Sequence, residues 1–247
     1  MAQRAPEQLR EIVVTRRFTA TPAGSVLWQQ GETVVLVTAS ITRGVPPWFS
    51  PDKPGGWVTA EYTMLPGSTP TRKAWPKSGH TDSRGTEIQR LIGRCLRGII
   101  DLTKIGPNGI HLDCHVLQAD GGTRTACISA AYVALVDALA KLPPALPTED
   151  VVNAPHYDPK AAVIDQLSAV SVGIVDGRIY TDLDYVLDSR AEVDMNIAFT
   201  ASGKFVEVQG SAEGLGGFTP EQLTGLLEAG TAGCRALHEV QRNALGA

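Results

Sequence analysis

The sequence lacks the short motifs that mark several common enzyme classes. Its four cysteines are scattered and form no C-x-x-C pair, which excludes a disulfide framework and a cysteine-rich zinc site. The histidines form no H-E-x-x-H, and no G-x-x-x-x-G-K-[ST] phosphate loop is present. The run "GSAEG" places its serine one position too early for a nucleophile elbow. Zincin proteases, P-loop enzymes and serine hydrolases with that elbow are therefore not expected.

Signals for export or membrane insertion are missing as well. The start, "MAQRAPEQLR", has no apolar stretch typical of a signal peptide, and Asp137 and Lys141 interrupt the longest apolar helical run. We therefore expect a cytoplasmic protein without a membrane span. The 247 residues are 43% hydrophobic and 19% charged, an ordinary globular composition. Because the net charge is −4, any site for a polyanion must be local.

In the first half of the chain, predicted strands come before predicted helices. The run "SVLWQQGETVVLVTASI" predicts two strands joined by a Gln-Gln-Gly-Glu turn, and "WVTAEYTML" and "IHLDCHVL" predict two more. Apolar residues at three- and four-residue spacing predict helices over Glu87 to Leu102 and over "CISAAYVALVDALAKL".

The second half repeats this order. The runs "LSAVSVGIVDGRIYTDLDYVLD" and "AEVDMNIAFTASGKFVEVQGSAEG" predict strands that turn at Asp-Gly and Ser-Gly. Thr219, Pro220 and Gln222 then form a capping box at the start of a closing helix. The pattern predicts an α+β fold with a weak internal duplication. We expect one domain over residues 1–247, with a proline-rich connector between its halves near residues 142–160.

The run "QADGGTRTA" lies between a predicted strand and a predicted long helix. Gly121 and Gly122 permit a left-handed backbone and the close approach of a ligand. The N-terminus of the helix favours an anion, and Arg124 adds a cation with a planar set of donors. Two interpretations stand: a phosphate cradle built from Gly122, Thr123 and Arg124, or a tight turn beside a solvated arginine.

Positive charge is concentrated between residues 72 and 104. This stretch contains eight Lys or Arg residues and three acidic residues, which gives it a net charge of +5. Three of the cations lie in a proline-rich loop and are candidates for contacting RNA: Arg72, Lys73 and Lys77. Three more share one face of a predicted helix: Arg90, Arg94 and Arg97. For the helical arginines, a solvated face with pairing to Glu87 is an equal alternative.

Acidic residues crowd the segment "DLDYVLDSRAEVDMN", residues 182–196. Asp188 and Asp194 are six residues apart, and a turn can bring both to one site, where they need a metal, a cation or a proton. Asp182 and Asp184 are expected to lie on exposed turns. A phosphate cradle, a basic loop and an acidic pair are together what phosphoryl chemistry on a nucleic acid uses.

Five ordered blocks resemble the ribonuclease PH family: "WVTAEYTMLP", "EIQRLIGRCLR", "CHVLQADGGTRTA", "DLDYVLDSRAEVDMN" and "VEVQGSAEG". The resemblance covers nearly the whole chain, from about Gly24 to about Phe218. It implies the ribonuclease PH fold, a ribosomal protein S5 domain 2-like fold shared with polynucleotide phosphorylase and exosome ring subunits. It also implies a homo-hexameric ring, a trimer of dimers.

The activity that the resemblance implies is a phosphorolytic 3′→5′ exoribonuclease that trims tRNA precursors and other RNA 3′ tails. Inorganic phosphate is the co-substrate, nucleoside diphosphates are released, and the metal is Mg²⁺ or Mn²⁺. The family's phosphate site corresponds to Arg84 and the Gly122-Thr123-Arg124 turn. Its acidic pair corresponds to Asp188 and Asp194, which would serve catalysis and metal binding, with Asp194 as the candidate general acid.

The chain departs from the family pattern at four places, marked by His115, by Gly85 after Arg84, by Arg4 without a preceding Asp-Gly, and by Gly44 after Arg43. None touches the turn or the acidic pair. A catalytically silent RNA-binding ring subunit is the main alternative, and such a subunit would be expected to lose the phosphate arginines or the acidic pair. A general nucleotide-phosphate binder is a third possibility, although its Walker pattern is absent.

Overall fold

The structure is a computed structural model that describes residues 4–50, 53–74, 82–142, 157–213 and 216–246. Its first sheet contains five strands: β1 (Ile12–Arg16), β2 (Gly24–Gln30), β3 (Thr33–Arg43), β4 (Trp57–Met64) and β5 (Asn108–Gln118). Their order is β1-β2-β3-β5-β4, and only the β4–β5 pair is parallel. The turn between β2 and β3 is shorter than predicted: two residues connect the strands, and Gly31 adopts φ +58°.

The second sheet is antiparallel throughout. It contains β6 (Leu167–Val175), β7 (Arg178–Thr181), β8 (Val193–Thr200) and β9 (Phe205–Ala212), in the order β7-β6-β8-β9. The predicted Asp-Gly and Ser-Gly turns connect β6 to β7 and β8 to β9. The four helices are α1 (Ser83–Arg97), α2 (Thr123–Lys141), the one-turn α3 (Tyr185–Asp188) and α4 (Pro220–Leu245). The α+β prediction is confirmed.

Helix α2 is the centre of the molecule. It packs against β2 and β3 of the first sheet and against β6 of the second. Strand β2 approaches it so closely that a Cβ on Gly24 would lie 2.0 Å from the carbonyl oxygen of Ala134. Within the described residues, α2 is the one helix long and apolar enough to cross a membrane, but 78% of that stretch is buried inside the protein. Its apolar character is therefore explained by its position in the core.

Two helices differ from their predictions. Helix α1 begins four residues before Glu87, because the Asp82 side chain accepts a hydrogen bond from Gly85 N at 3.1 Å and caps the helix. It ends at Arg97, not at Leu102, and Ile100 forms a β-bridge with Val163 instead. The closing helix α4 begins as predicted, with both hydrogen bonds of the Thr219–Gln222 capping box in place.

Candidate active site

A cleft of about 900 Å³ brings the two predicted groups of site residues together. The loop between β5 and α2, the start of α2, α3 and β8 contribute to its wall, and the loop after β4 and the start of α1 complete it. All six residues predicted for the phosphate cradle and the acidic pair line it in the structure: Arg84, Gly122, Thr123, Arg124, Asp188 and Asp194. Tertiary folding brings these residues together, since Arg84 and Asp194 are more than a hundred residues apart in the chain.

The "GGTRTA" turn presents the N-terminus of α2 to this cleft. Gly121 and Gly122 have φ of +72° and +63°, and Gly122 is the N-cap. No side chain in the described part of the chain caps this end of the helix. The first N–H groups of α2 therefore remain available to an anion, at the positive end of the helix dipole. Thr123 is positioned by Tyr62, whose hydroxyl lies 2.9 Å from Thr123 Oγ1.

Two arginines stand beside the turn. Arg84 is exposed in the first turn of α1. Arg124 is mostly buried, and its Nη1 donates to Gln209 Oε1 at 2.8 Å and lies 3.6 Å from Glu87 Oε1. Gln209 in turn donates to Glu87 at 3.0 Å, so β9 and α1 together hold the Arg124 guanidinium. Glu87 thus interacts with Arg124 and Gln209. The sequence had offered pairing of Glu87 with arginines of its own helix as an alternative, and the structure does not show that pairing.

Asp188 ends α3 and Asp194 lies on β8, and both face the cleft. Burial, followed by the charge of Asp188, raises the pKa of Asp194 to about 6. Burial also raises the pKa of Asp188, and the charges of Arg84 and then of Arg124 oppose that rise. A carboxyl group with a pKa near neutrality can carry a transferable proton under physiological conditions.

The same two carboxylates are candidate donors for a cation. Among the described residues, no group of three or more His, Cys, Asp and Glu side chains is arranged to hold a metal ion. An oxygen-only pair suits Mg²⁺, which is commonly held by one or two carboxylates together with substrate phosphates and water. The residues present therefore fit such a cation, which would also relieve the repulsion between Asp188 and Asp194.

The basic residues divide into two groups. Arg72 and Lys73 are exposed and line the cleft, whereas Lys77 lies outside the described residues. Arg94 lies 3.4 Å from Glu207, and Arg97 donates to Val58 O at 2.9 Å and stands over the Trp57 ring. These two helical arginines are thus engaged in contacts with β9 and β4, which neither interpretation of the sequence anticipated.

Asp182 contradicts its prediction. The sequence suggested an exposed turn residue, but Asp182 is 1% exposed and binds Arg10 through both carboxylate oxygens, at 2.6 and 3.0 Å. Asp184 is half-buried and caps α3 by accepting from Leu187 N at 2.9 Å. The short helix α3 replaces a predicted strand, because Asp184 supplies an N-cap that the strand pattern did not take into account.

Several residues near the site were not singled out in the sequence. Ser171, Tyr185, Asn196 and Glu213 also line the cleft, and Asn196 Nδ2 lies 3.4 Å from Asp194 Oδ2. No motif marks Ser171. The other three lie in blocks that carry the resemblance, Tyr185 and Asn196 in "DLDYVLDSRAEVDMN" and Glu213 in "VEVQGSAEG", but no motif distinguished them within those blocks. Period-two alternation along β8, which puts Asp194 and Asn196 on one face, is the signal that could have found Asn196.

A cleft that combines a free helix N-terminus, cations and a carboxylate pair defines a protein that acts on phosphate-bearing substrates. Two profiles of the 3′ exoribonuclease family match the chain, that of domain 1 over residues 8–141 and that of domain 2 over residues 165–233. A ribonuclease PH of Nocardia farcinica is 51% identical over 243 residues, covering 98% of this chain and 90% of that protein. The chain belongs to the 3′ exoribonuclease family.

Solved structures share the fold at lower identity. Rrp46 of rice (Oryza sativa) has a TM-score of 0.76 at 18% identity, with 99% of this chain and 98% of that chain covered. A chain of the Archaeoglobus fulgidus exosome with RNA bound to the active site has a TM-score of 0.75 at 23% identity, covering 96% and 90%. These similarities extend over the whole fold, so the predicted relation to exosome ring subunits is confirmed at the level of architecture.

Proposed function

We propose that the chain is a phosphorolytic 3′→5′ exoribonuclease that trims the 3′ ends of tRNA precursors and releases nucleoside 5′-diphosphates. The observation that carries this proposal is the convergence of an uncapped helix N-terminus, two arginines and two carboxylates of raised pKa in one cleft. Similarity to ribonuclease PH over 98% of the chain supports it.

The phosphate site is proposed at the start of α2. The first N–H groups of α2 and the guanidinium of Arg124 would hold inorganic phosphate, and Arg84 would supply a second cation. The bound phosphate would then be positioned to attack the 3′-terminal phosphodiester, with its own negative charge balanced by the arginines. One phosphate oxygen forms a bond to the terminal phosphorus while the bond from that phosphorus to the 3′-oxygen breaks.

The leaving 3′-oxygen requires a proton. Asp194 is the proposed general acid, because its pKa of about 6 lets it hold a proton near neutral pH. Asp188 and Asp194 are the proposed ligands of Mg²⁺ or Mn²⁺, which when bound would neutralise charge on the phosphates. Asp188, whose pKa is raised chiefly by burial, is the principal ligand candidate.

RNA is proposed to enter along the loop that carries Arg72 and Lys73, with Lys77 as a third contact. The exposed side chains of Arg72 and Lys73 at the cleft wall support this path. The similar fold of the Archaeoglobus fulgidus exosome chain, solved with RNA bound to the active site, supports an RNA substrate here as well. Four free, buried cysteines are compatible with the proposed reducing cytoplasm.

A homo-hexameric ring, a trimer of dimers, is the proposed assembly. Strand β9 is a sheet edge, and it exposes Phe205 and Val208, which are 46% and 43% accessible. An exposed apolar edge of this kind is normally covered by a partner. Sizing should give a particle of roughly 157 kDa, six times the 26.2 kDa chain. A 26-kDa particle at working concentration would contradict the ring.

The proposed activity is tested with a short RNA that carries an unpaired 3′ tail. With phosphate present, chromatography should show nucleoside diphosphates, and excess diphosphates should drive nucleotide addition to the 3′ end. Monophosphates released in phosphate-free buffer would indicate hydrolysis and overturn the proposal. A silent RNA-binding subunit would give no product in either buffer.

A further inference from the structure

The turn that opens α2 is held in place by two buried side chains that do not belong to it. Thr33, at the start of β3, is fully buried, and its Oγ1 donates to Gly121 O at 2.7 Å and accepts from Asp120 N at 3.0 Å. Arg10, from the segment before β1, donates through Nη1 to Asp120 O. Both polar groups of the Asp120 peptide backbone and the carbonyl of Gly121 are therefore fixed by side chains.

Arg10 is itself immobilised by Asp182. The Asp182 carboxylate accepts from Arg10 Nε at 3.0 Å, from Arg10 Nη2 at 2.6 Å and from Arg10 N at 2.8 Å. Gln30 Nε2 donates to the same carboxylate at 2.7 Å. Asp182 has φ +61°, a left-handed conformation that is uncommon for aspartate and that persists only where the surroundings enforce it.

Asp182 also begins the segment that leads into α3 and Asp188. This segment packs directly on the turn: a Cβ on Gly121 would lie 2.5 Å from Leu183 O and 2.9 Å from Tyr185 N. Tyr185 N donates to Asp120 Oδ1 at 3.2 Å. The start of α2 and the start of α3 are therefore in contact, and the buried ion pair of Arg10 and Asp182 connects to both.

We propose that Thr33, Arg10 and Asp182 form a positioning clamp that holds the phosphate-binding N–H groups of α2 in a fixed relation to α3. The inference rests on the proposed function, because it assigns the clamp to the phosphate site of that reaction. Thr33 and Arg10 contact the backbone of the turn, and Asp182 holds Arg10 in place. The lining of the cleft is contributed by other residues, so the three residues act through the groups they position.

The clamp matters because backbone donors hold an anion well only when their directions are fixed in advance. Loss of the Thr33 hydroxyl leaves Asp120 N and Gly121 O without that partner and lets the turn relax away from its binding geometry. Thr33 is a better first target than Arg10 or Asp182, because removing one member of a buried ion pair leaves an uncompensated charge and destabilises the fold.

Thr33→Val tests the clamp with almost no change in side-chain volume. We expect its KM for phosphate to rise roughly tenfold, the scale of one buried hydrogen bond lost, while its KM for RNA stays at the wild-type value. Thr33→Ser keeps the hydroxyl and should restore the phosphate KM. The matched control is Thr200→Val, which removes another buried threonine hydroxyl at the end of β8, outside the cleft lining, and should change neither KM.

Arg10→Lys provides a second test that does not depend on Thr33→Val folding. It keeps a positive charge beside Asp182 but loses the two-pronged contact and the bond to Asp120 O, so the same selective rise in phosphate KM is expected. Unchanged phosphate KM in both variants would overturn the clamp, as would an equal rise in the KM values for phosphate and RNA. If the wild-type protein itself shows no phosphate dependence, the proposed function fails and not the clamp alone.

Discussion

At the scale of single residues, Asp194 has an environment unlike that of a surface carboxylate. It is mostly buried beside Asp188 and has a pKa of about 6. Asp194→Asn keeps the shape but removes the transferable proton, so we expect kcat to fall by roughly a hundredfold or more while RNA still binds. Steady-state phosphorolysis and RNA binding, with the assembly checked by sizing, measure both effects. Full activity would move the general acid elsewhere.

Asp188 should respond differently if it mainly ligates a metal. Asp188→Asn is expected to regain part of its lost activity when Mg²⁺ is raised or replaced by Mn²⁺, because a weakened site fills at higher ion concentration. Titration of activity against each ion measures the rescue, and Asp194→Asn is the matched comparison that should not recover. Recovery of Asp194→Asn without recovery of Asp188→Asn would reverse the assignment of acid and ligand.

The raised pKa of Asp194 also predicts a pH dependence of stability. Its folded pKa of about 6 exceeds the ordinary value of 3.8, so its favourable contribution is fully present below about pH 4 and is lost as the pH rises through about 6. Relative to wild type, Asp194→Asn should therefore gain stability across this window. Urea unfolding at several pH values in chelator-treated buffer measures it, and parallel pH curves for the two proteins would contradict the buried environment.

Arg124 is the residue through which phosphate and RNA binding can be separated. Arg124→Ala should raise the KM for phosphate far more than the KM for RNA, since the anion loses a charge-assisted partner. Arg94→Ala is the matched control, an arginine that also contacts β9, through Glu207, but does not line the main cleft. If Arg124→Ala instead lowered the affinity for RNA and left the phosphate dependence intact, Arg124 would not belong to the phosphate-binding site.

At the scale of secondary structure, local patterns predicted the elements well and their tertiary partners poorly. Helix α2 and the β-hairpin turns follow from short-range periodicity and turn chemistry. The burial of Asp182 does not, because its partner Arg10 is 172 residues away and its solvation depends on that contact. Likewise, the spacing of Arg94 and Arg97 indicates a shared face but cannot show that Glu207 and Trp57 lie beside it.

The residues of the candidate site fall into the same two groups, those that local sequence patterns indicate and those that they do not. The turn at Gly122 and the pair Asp188 and Asp194 could be selected from residue types in sequence segments. Ser171, which belongs to the same cleft, lies in no such segment. The contact of Arg124 with Gln209 joins α2 to β9, and no local pattern encodes that distance.

Helix α4 offers a test in which stability and catalysis separate. Its Thr219 side chain accepts from Gln222 N at 3.2 Å, so Thr219→Ala should cost about 1 kcal/mol and lower Tm by roughly 2–4 °C. Thr224→Ala, within the same helix, is the control and should be close to neutral, because alanine is the better helix former. Calorimetry measures Tm, and both variants should keep the wild-type KM for phosphate. An unchanged Tm in Thr219→Ala would show that the cap contributes nothing.

At the scale of the whole molecule, charge is distributed unevenly. The net charge is −4, yet residues 72–104 carry +5, and the remainder is correspondingly acidic. An acidic body disfavours general adsorption of RNA, so productive binding must come from a small number of cations at the cleft. Arg72 and Lys73 are exposed in the cleft and are the proposed contacts, whereas Arg94 lies beside Glu207 and Arg97 donates to Val58 O.

This distribution predicts a shallow and local salt dependence. If Arg72 contacts one phosphate of the RNA, Arg72→Ala should weaken binding and reduce the slope of log K against log salt concentration by about 0.7 to 1 unit. Arg178→Ala, an exposed arginine of β7 that does not line the cleft, is the control and should leave the slope unchanged. Fluorescence anisotropy with a labelled RNA over a salt series measures both slopes. The slope reports the counterions released where a cation of the protein neutralises a phosphate of the RNA. An equal slope for wild type and Arg72→Ala would therefore show that Arg72 contacts no phosphate and remains in solvent.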